Sequence, residues 1–343
     1  MKAKVDIIAN DGSPLGVTMK TVWGEEEGKL GVGGAELALL TLCETLHNND
    51  YDVTLYNNPR SSGGSPFKHG DLDRFAPKAP RDILIVFRSP NHRAWGANGL
   101  KVWLSCDQHT CGDFAQFSKA VDRVVTISPF HRRYFLQRYG IDSTVIDLPI
   151  RVDDYSGKGI TRVPRRCIFT SVPSRGLHIL REMWPAIHHE CPDATLVITS
   201  DFRLWGVDAP GNEQYRAEWF GQQGVSFRGA VKRKELIEIQ LAAEFHLYPC
   251  TYEELMCLSV AESLVAGVLP ITSDVGALET TNMGVILPGN PQDREWQKNY
   301  IDLVNAYLCD PTKDELLRAN QHDAICRFNP QTILEQWERK VLL

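Results

Sequence analysis

The sequence predicts an α/β protein made of two successive Rossmann-like domains, and three observations support this fold class. Short apolar runs alternate with helical patterns both before and after a polar, arginine-rich segment at residues 151–166. The run Ile83–Phe87 is apolar throughout, which is typical of a strand buried on both faces of a parallel sheet. Residues 248–279 contain a strand end, a loop, a helix and a further strand, the unit from which parallel sheets are built. We therefore expect two domains that face each other across a cleft.

Length and composition are those of an ordinary globular protein. The 343 residues are 43% hydrophobic and 23% charged, which suits roughly two domains. The net charge is −6 without a long basic block, so composition gives no footprint for nucleic acid. Nine cysteines lack metal-type spacing, and no apolar run approaches the ~20 residues of a membrane span. With an N-terminus too polar for a signal peptide, these features predict a cytoplasmic protein with reduced thiols.

The first predicted domain spans residues 1–150 and contains six short apolar runs. Its two long connections are rich in glycine and polar residues, and we expect a functional or mobile loop at residues 10–32 and a mobile loop at residues 57–81. The predicted strands are residues 5–9, 53–56, 83–87, 101–104, 122–127 and 145–148.

A predicted linker at residues 151–166 leads to the second predicted domain, residues 167–328. The alternation of strands and helices restarts there, and an amphipathic segment at residues 329–343 predicts a last helix. The predicted strands are residues 167–172, 195–199, 225–227, 245–248 and 269–272, with helices at 177–189 and 232–243 and a third that ends at Gly267.

Two carboxylates follow the strand at residues 245–248. Glu254 closes the polar loop after that strand, and Glu262 lies eight positions later within the helix. A buried carboxylate needs hydrogen-bond donors, which ribose hydroxyls would supply. Backbone amides at the helix start, at Met256, Cys257 and Leu258, suit a phosphate. The alternative is that both glutamates are solvated, Glu254 as a charge at the helix start and Glu262 on an exposed face.

Glycines precede the first long helix. Gly33 and Gly34 stand between the first strand and that helix, where backbone amides can approach an anion. A dinucleotide fingerprint, Gly-x-Gly-x-x-Gly, would need glycine where Glu36 stands, so we exclude a dinucleotide site. The alternative is a tight connection without a ligand.

Polar side chains also follow the predicted strand at residues 101–104. Asp107 and His109 lie just beyond its carboxyl end, on the ligand side of a parallel sheet. They can orient an acceptor hydroxyl or stabilise charge. The alternative is that Asp107 caps a helix start and His109 is a surface histidine.

The stretch from Glu254 to Glu279 carries a family resemblance. Glu-x7-Glu followed by SLVAGVLPITSDVGALE closely resembles the signature of the retaining glycosyltransferases of family 4, which have the GT-B fold. The resemblance implies that Glu254 lies beside the donor sugar and that Glu262 binds the ribose of the nucleotide. Gly33 and Gly34 match a Gly-Gly-x-Glu element of that family, which implies a place near donor phosphate or acceptor. One departure is that Leu-Met-Cys stands where the family has glycine, after Glu254.

A leaving nucleoside diphosphate carries negative charge, which requires fixed cations and amides when no metal is bound. Arg175, in the turn before Gly176, matches a lysine that the family uses for this purpose, whereas Thr170 stands at the family's upstream arginine. A surface charge is the alternative for Arg175. The loop ending at Val231 resembles the family's nucleobase loop. The candidates to replace the missing cation are Arg203, Lys232 and Arg233.

The resemblance implies a metal-independent transferase that moves a sugar, with retention, from a nucleoside-diphosphate sugar to an acceptor hydroxyl. Asp-x-Asp occurs at residues 50–52 and 71–73, both in the first predicted domain and not in the predicted donor domain, and neither a metal nor another cofactor is expected. UDP- or GDP-sugars are the expected donors, and a glycan, a protein, a small molecule or modified nucleic acid the expected acceptor, bound by the first domain. In this fold the last helix, residues 329–343, crosses back to the first domain. Two alternatives remain: a same-fold nucleotide-sugar epimerase or hydrolase, and a non-catalytic protein that binds nucleotide sugar or glycan.

Overall fold

The computed structural model describes residues 2–9, 16–27, 30–60, 63–108, 112–203, 211–310 and 312–342. The chain divides into two compact units, residues 1–151 with 328–343 and residues 152–327. Each unit is a parallel sheet with helices, so the predicted pair of Rossmann-like α/β domains is confirmed.

Unit 1 contains a parallel sheet of seven described strands in the order β3-β2-β1-β4-β5-β6-β7. The chain starts near the centre, moves to one edge and returns to build the other edge from β4 onward. The strands are β1 Lys4–Ile8, β2 Asp52–Tyr56, β3 Lys68–Gly70, β4 Ile83–Phe87, β5 Leu100–Leu104, β6 Arg123–Thr126 and β7 Thr144–Val145.

The helices of unit 1 include a long one after β1 and one from the far end of the sequence. Helix α12 packs against α2, and its Ile333, Leu334 and Trp337 are buried. A last helical turn, Glu338–Leu342, continues it. The described helices are α1 Met19–Trp23, α2 Gly34–Asn48, α3 Phe114–Phe117, α4 Pro129–Tyr139 and α12 Pro330–Trp337.

The core of unit 1 follows from the apolar strands. Every residue of β4 is buried, as expected for a strand covered on both faces. Trp103 of β5 packs edge-on against Phe114 and Phe117, with ring centroids 4.9 Å and 5.3 Å away, and Phe135 of α4 joins them. This aromatic cluster fixes α3 and α4 on the sheet.

Two predicted loops of unit 1 contain regular structure, so their prediction as loops is wrong. Residues 10–32 include helix α1, and residues 57–81 include the edge strand β3 and a helical turn, Leu72–Arg74. Strand β3 has three residues, Lys68, His69 and Gly70, so it is too short and too polar to show the period of a strand.

Unit 2 contains a parallel sheet of six described strands in the order β10-β9-β8-β11-β12-β13. The strands are β8 Arg166–Phe169, β9 Thr195–Ile198, β10 Val225–Phe227, β11 Phe245–Tyr248, β12 Leu269–Ser273 and β13 Val285–Leu287. The described helices are α5 Leu177–Glu190, α6 Gly211–Glu218, α7 Arg233–Leu241, α8 Leu258–Val265, α9 Leu278–Thr281, α10 Arg294–Cys309 and α11 Lys313–Phe328. Within the described ranges, none of the helices is both long and apolar enough to cross a bilayer.

The strand order of unit 2 reverses between β8 and β11. From β8 the chain builds outward to β10, then returns to place β11 on the other side of β8. Loops that leave the carboxyl ends of two such strands diverge and open a crevice, where ligands bind in parallel sheets. The turn before α5 and the loop before α8 leave the sheet at this switch point.

Candidate functional site

Two loops of unit 2 approach each other closely at this switch point. The first contains Arg175 and Gly176 after β8, and the second contains Pro249 and Cys250 after β11. Gly176 has φ +102°, and a Cβ atom on it would lie 2.1 Å from the carbonyl oxygen of Pro249. Only glycine fits both the dihedral angle and the space, so the backbone itself brings the two loops together.

The Glu254 side chain accepts a hydrogen bond from the last residue of β11. Tyr248 Oη donates to Glu254 Oε1 at 2.7 Å and lies 3.2 Å from Ser171 Oγ. The backbone of Glu254 is also fixed, because its carbonyl accepts from the amide of Ala277 at 2.6 Å. The side chain and the main chain of this glutamate are thus both tied to the sheet.

Arg175 lies between Glu254 and an aromatic ring. Its Nη1 is 3.8 Å from Glu254 Oε1, and its Cζ lies 3.3 Å from the ring centroid of Tyr252. The side chains of Arg175 and Glu254 are only 14% and 13% exposed, so the solvated alternatives for both are wrong. Burial raises the pKa of Glu254, while Arg175 and the Tyr248 hydrogen bond oppose that rise.

Glu262 lies on α8 and is 7% exposed, so the alternative of an exposed position is also wrong. Arg233, the first residue of α7, donates from Nη1 to Glu262 Oε1 at 2.6 Å. Arg233 also lies 3.7 Å from Asp154 Oδ2 and 3.4 Å from Tyr155 Oη. The donor that the sequence analysis required for a buried Glu262 is therefore supplied, on one oxygen, by this arginine.

The residues at the start of α8 form part of the same edge of unit 2. Cys257 is the N-cap residue, Leu258 is the first helical residue, and Met256 precedes them. Met256 and Cys257 are buried, and Cys257 Sγ lies 3.3 Å from Ser259 Oγ. The positive end of the helix therefore begins only a few residues after Glu254.

The predicted nucleobase loop lies between β10 and α7. Within it, the Ala230 amide donates to Asp201 Oδ2 at 3.0 Å, so that carboxylate fixes the loop that ends at Val231. Arg203 donates to the same carboxylate at 2.5 Å from Nη2, and Lys232 is exposed at the N-cap of α7. Of the three predicted replacement cations, two are thus paired with carboxylates, Arg203 with Asp201 and Arg233 with Glu262.

The predicted residues of unit 1 form a separate group. Gly33 is the N-cap of α2, and Gly34 is the first residue of that helix. Glu36 accepts a hydrogen bond at 2.8 Å from Nη2 of Arg88, whose Nε is 3.3 Å from Asp107 Oδ2. Arg88 follows β4 and has φ +64°, a strained conformation for a non-glycine residue.

The next described helix after Asp107 is α3, and its N-cap is Asp113. Asp107 is instead an ion-pair partner of Arg88, with a side chain that is 36% exposed. His109 lies outside the described residues.

Three contact residues were not identified from the sequence, namely Tyr248, Tyr252 and Arg88. Tyr248 was counted with the apolar run of its strand, although its hydroxyl end needs a partner when buried. Its place as the last residue before the site loop was the available signal. Arg88 directly follows a fully apolar strand, which is a similar signal.

Residues 165–305 match the sequence profile of the family described as Glycosyl transferases group 1. A glycosyltransferase from Rickettsia africae ESF-5 has a similar structure, with 15% identity, a TM-score of 0.74, and coverage of 98% of this chain and 96% of that one. HepE from Anabaena, in complex with UDP and glucose, has 16% sequence identity and a TM-score of 0.68, with coverage of 99% of both chains. Sucrose-phosphate synthase from Thermosynechococcus elongatus has 15% sequence identity and a TM-score of 0.69, with coverage of 98% of both chains. No curated protein matches this chain in sequence.

These similarities show the GT-B fold for this chain, and residues 165–305 resemble a glycosyltransferase family. Unit 2 contains the glycosyl transferases group 1 domain, which includes Arg175, Glu254 and Glu262. The resemblance to the family 4 glycosyltransferases is thereby confirmed.

Proposed function

We propose that this protein transfers a sugar from a nucleoside-diphosphate sugar to an acceptor hydroxyl, with retention at the anomeric carbon and without a metal ion. The observation that carries the proposal is the buried Arg175–Glu254 pair at the strand switch point of the group 1 domain. HepE, a similar structure, is described in complexes with UDP and UDP-glucose, which makes a UDP-sugar the first donor to test and a GDP-sugar the second.

In this proposal, each donor group has a partner on unit 2. Glu262 accepts from the ribose, and the amides of Met256, Cys257 and Leu258 at the positive end of α8 approach the diphosphate. Val231 and its loop contact the nucleobase through the main chain. These elements all follow the carboxyl ends of strands of one parallel sheet, where ligands of such sheets bind.

Arg175 and Glu254 then act on the reacting end of the donor. Glu254 accepts hydrogen bonds from hydroxyls of the transferred sugar. Arg175 stabilises the charge that develops on the leaving phosphate, the role that a metal has in other transferases. Because the guanidinium is held between a carboxylate and the Tyr252 ring, little reorganisation is needed as that charge forms. We expect transfer to persist in the presence of EDTA.

The acceptor in this proposal binds unit 1, near Gly33, Gly34, Asp107 and His109. Asp107 is held by Arg88 yet is partly exposed, so it can accept a hydrogen bond from an acceptor hydroxyl. A glycan, a protein, a small molecule or modified nucleic acid supplies such a hydroxyl. We place the reaction in the cytoplasm, since the described cysteines are free thiols.

The test begins with thermal unfolding of the purified protein without metal, in the presence of UDP, GDP, ADP or CMP and their common sugars. A ligand that binds only the folded state raises the melting temperature. Turnover of the donor that stabilises the protein is then measured, and the anomeric configuration of the product is compared with that of the donor.

Two variants locate the site. Arg175→Ala slows transfer by ~10²-fold, as for other lost charge-stabilising donors, and Glu262→Ala weakens donor binding. Arg181→Ala is the matched control, because Arg181 forms a partly exposed ion pair with Glu218 on the same part of unit 2. Unchanged kinetics in both site variants would refute the assignment. Sugar release or rearrangement without acceptor would indicate a hydrolase or an epimerase, and tight donor binding without turnover a binding protein.

A further inference from the structure

The contacts of Arg233 tie three separate segments of unit 2 together. Arg233 begins α7, its Glu262 partner lies on α8, and Asp154 and Tyr155 belong to the helical turn Val152–Tyr155. The arginine is 7% exposed and the glutamate is also 7% exposed. The pair is therefore an internal feature of the unit.

A buried carboxylate is costly unless its charge is paired and its oxygens are hydrogen-bonded. Arg233 provides the countercharge for Glu262 and one short hydrogen bond, at 2.6 Å to Oε1. An ionised carboxylate has about four acceptor positions, so this single bond leaves others for further donors. A ribose presents two neighbouring hydroxyls and can use them.

Arg233 is itself held on the side away from Glu262. Its Nη2 lies 3.7 Å from Asp154 Oδ2 and 3.4 Å from Tyr155 Oη, and Tyr155 Oη donates to Gln240 Oε1 at 2.8 Å. Burial lowers the pKa of Arg233, but Glu262, Tyr155 and Asp154 outweigh that effect, and the arginine stays charged. The guanidinium therefore cannot turn toward a phosphate without leaving these partners.

We propose that Arg233 is a positioning residue for the nucleotide, which holds one oxygen of Glu262 and orients its remaining acceptor positions toward the ribose hydroxyls. The proposal rests on the proposed function, because it takes Glu262 as the ribose contact. It assigns Arg233 to ribose selection and not to the diphosphate.

The test compares nucleotides that differ only in the ribose. Binding of UDP and 2′-deoxy-UDP, and of GDP and 2′-deoxy-GDP, is measured by calorimetry for wild type, Arg233→Met and Arg233→Lys. Wild type binds the ribonucleotide about 10-fold more tightly or better, as for a hydrogen bond to a charged group. Arg233→Met reduces that ratio to about threefold or less, and it weakens the deoxynucleotide, which keeps one hydroxyl, less than the ribonucleotide. Arg233→Lys, which keeps the charge, restores part of the ratio.

Two further variants show whether a change in the ratio comes from loss of the ion pair or from misfolding of Arg233→Met. Glu262→Gln removes the buried charge, and the double variant Arg233→Met/Glu262→Gln removes the whole pair. We expect both to show the same low ribose preference as Arg233→Met, because residues that act as one unit are not additive. Arg181→Met is the matched control, since Arg181 on α5 pairs with Glu218 on α6 in a partly exposed position and should keep the wild-type ratio.

Three results would overturn the inference, and they differ from failure of the proposed function. Equal weakening of ribonucleotide and deoxynucleotide by Arg233→Met would place Arg233 at the phosphates. An unchanged ratio in a folded Arg233→Met variant would make the pair purely structural. A low ratio in Arg181→Met as well would show that the effect is not specific. If no nucleoside diphosphate binds wild type at millimolar concentration, the proposed function fails, and this inference fails with it.

Discussion

The hydrogen bond from Tyr248 to Glu254 leads to a prediction about pH. Tyr248→Phe keeps the buried ring and removes only the hydroxyl that donates to Glu254 Oε1 at 2.7 Å. A hydrogen bond to a charged group contributes ~1.5–3 kcal/mol. Each ~1.4 kcal/mol corresponds to a factor of ten in rate. We therefore expect kcat/KM for transfer to fall by about 10- to 100-fold.

The same substitution should shift the pH profile of transfer in a defined direction. The pKa of Glu254 is raised by burial, and the Tyr248 hydrogen bond opposes that rise. Without the hydroxyl, the pKa rises further, so the ionised carboxylate is lost at a higher pH than in wild type. The assay is kcat/KM against pH from acid to neutral, and the acidic limb should move to higher pH in Tyr248→Phe.

Tyr300→Phe is the matched control for this prediction. Tyr300 is equally buried in the same unit, but its hydroxyl bonds main-chain atoms, donating to the Ile271 carbonyl at 2.7 Å and accepting from the Tyr248 amide at 3.1 Å. Its loss should reduce stability and leave the pH profile in place. The reasoning is refuted if Tyr248→Phe moves the acidic limb no further than Tyr300→Phe does.

Three further predictions concern stability. Gly176→Ala should reduce the free energy of unfolding by at least about 2 kcal/mol in denaturant titrations, because alanine disfavours the positive φ and its Cβ atom would clash with the Pro249 carbonyl oxygen. An unfolding midpoint equal to that of wild type would contradict this. The pKa of Glu254 is raised in the folded state, so ionisation of Glu254 lowers the stability of that state as the pH rises. Glu254→Gln should therefore slow transfer and have a higher melting temperature than wild type at pH 7, but not in acid. A lower melting temperature than wild type at pH 7 would refute this. Arg81→Met leaves the buried Asp6 without its 2.7 Å ion pair and should lower the free energy of unfolding by about 3–5 kcal/mol. Arg74→Met is the control, because Arg74 belongs to an exposed ion pair, and it should lower the free energy of unfolding by less than about 1 kcal/mol. Equal losses in the two variants would contradict this prediction.

Much of the fold was predictable because parallel strands buried on both faces leave a continuous apolar run. Strand β4 and strand β11 appear in the structure with the predicted bounds. Strand β3 was not predicted because it is a strand of three residues at the edge of the sheet, where Lys68 needs no apolar character. Helix α1 has five residues, fewer than two turns, so no period could emerge.

The candidate site was predictable to the level of individual residues on each loop but not to the level of their partners. The strand–turn–helix pattern indicated that Arg175 and Glu254 each follow a strand of the second predicted domain, and it contained neither the order of those strands nor the distance between the two residues. The partners Tyr248, Tyr252 and Arg233 depend on side-chain directions set by tertiary packing. Arg233 shows this well, since its charge suggested a phosphate contact and its burial pairs it with Glu262.

Helix α12 has a consequence for the order in which the protein folds during synthesis. Unit 1 needs residues 328–343, including Ile333, Leu334 and Trp337, whose burial contributes about 1.5–3 kcal/mol each for such side chains. All of unit 2 leaves the ribosome before these residues do, because unit 2 is the contiguous stretch 152–327. A nascent chain that has reached residue 327 therefore carries every residue of unit 2, while α2 of unit 1 is not yet covered by α12. The usual order, in which the N-terminal domain completes folding first, is therefore reversed. We expect the face of α2 that α12 covers to remain exposed until the end of synthesis, and a chaperone can bind it during that time.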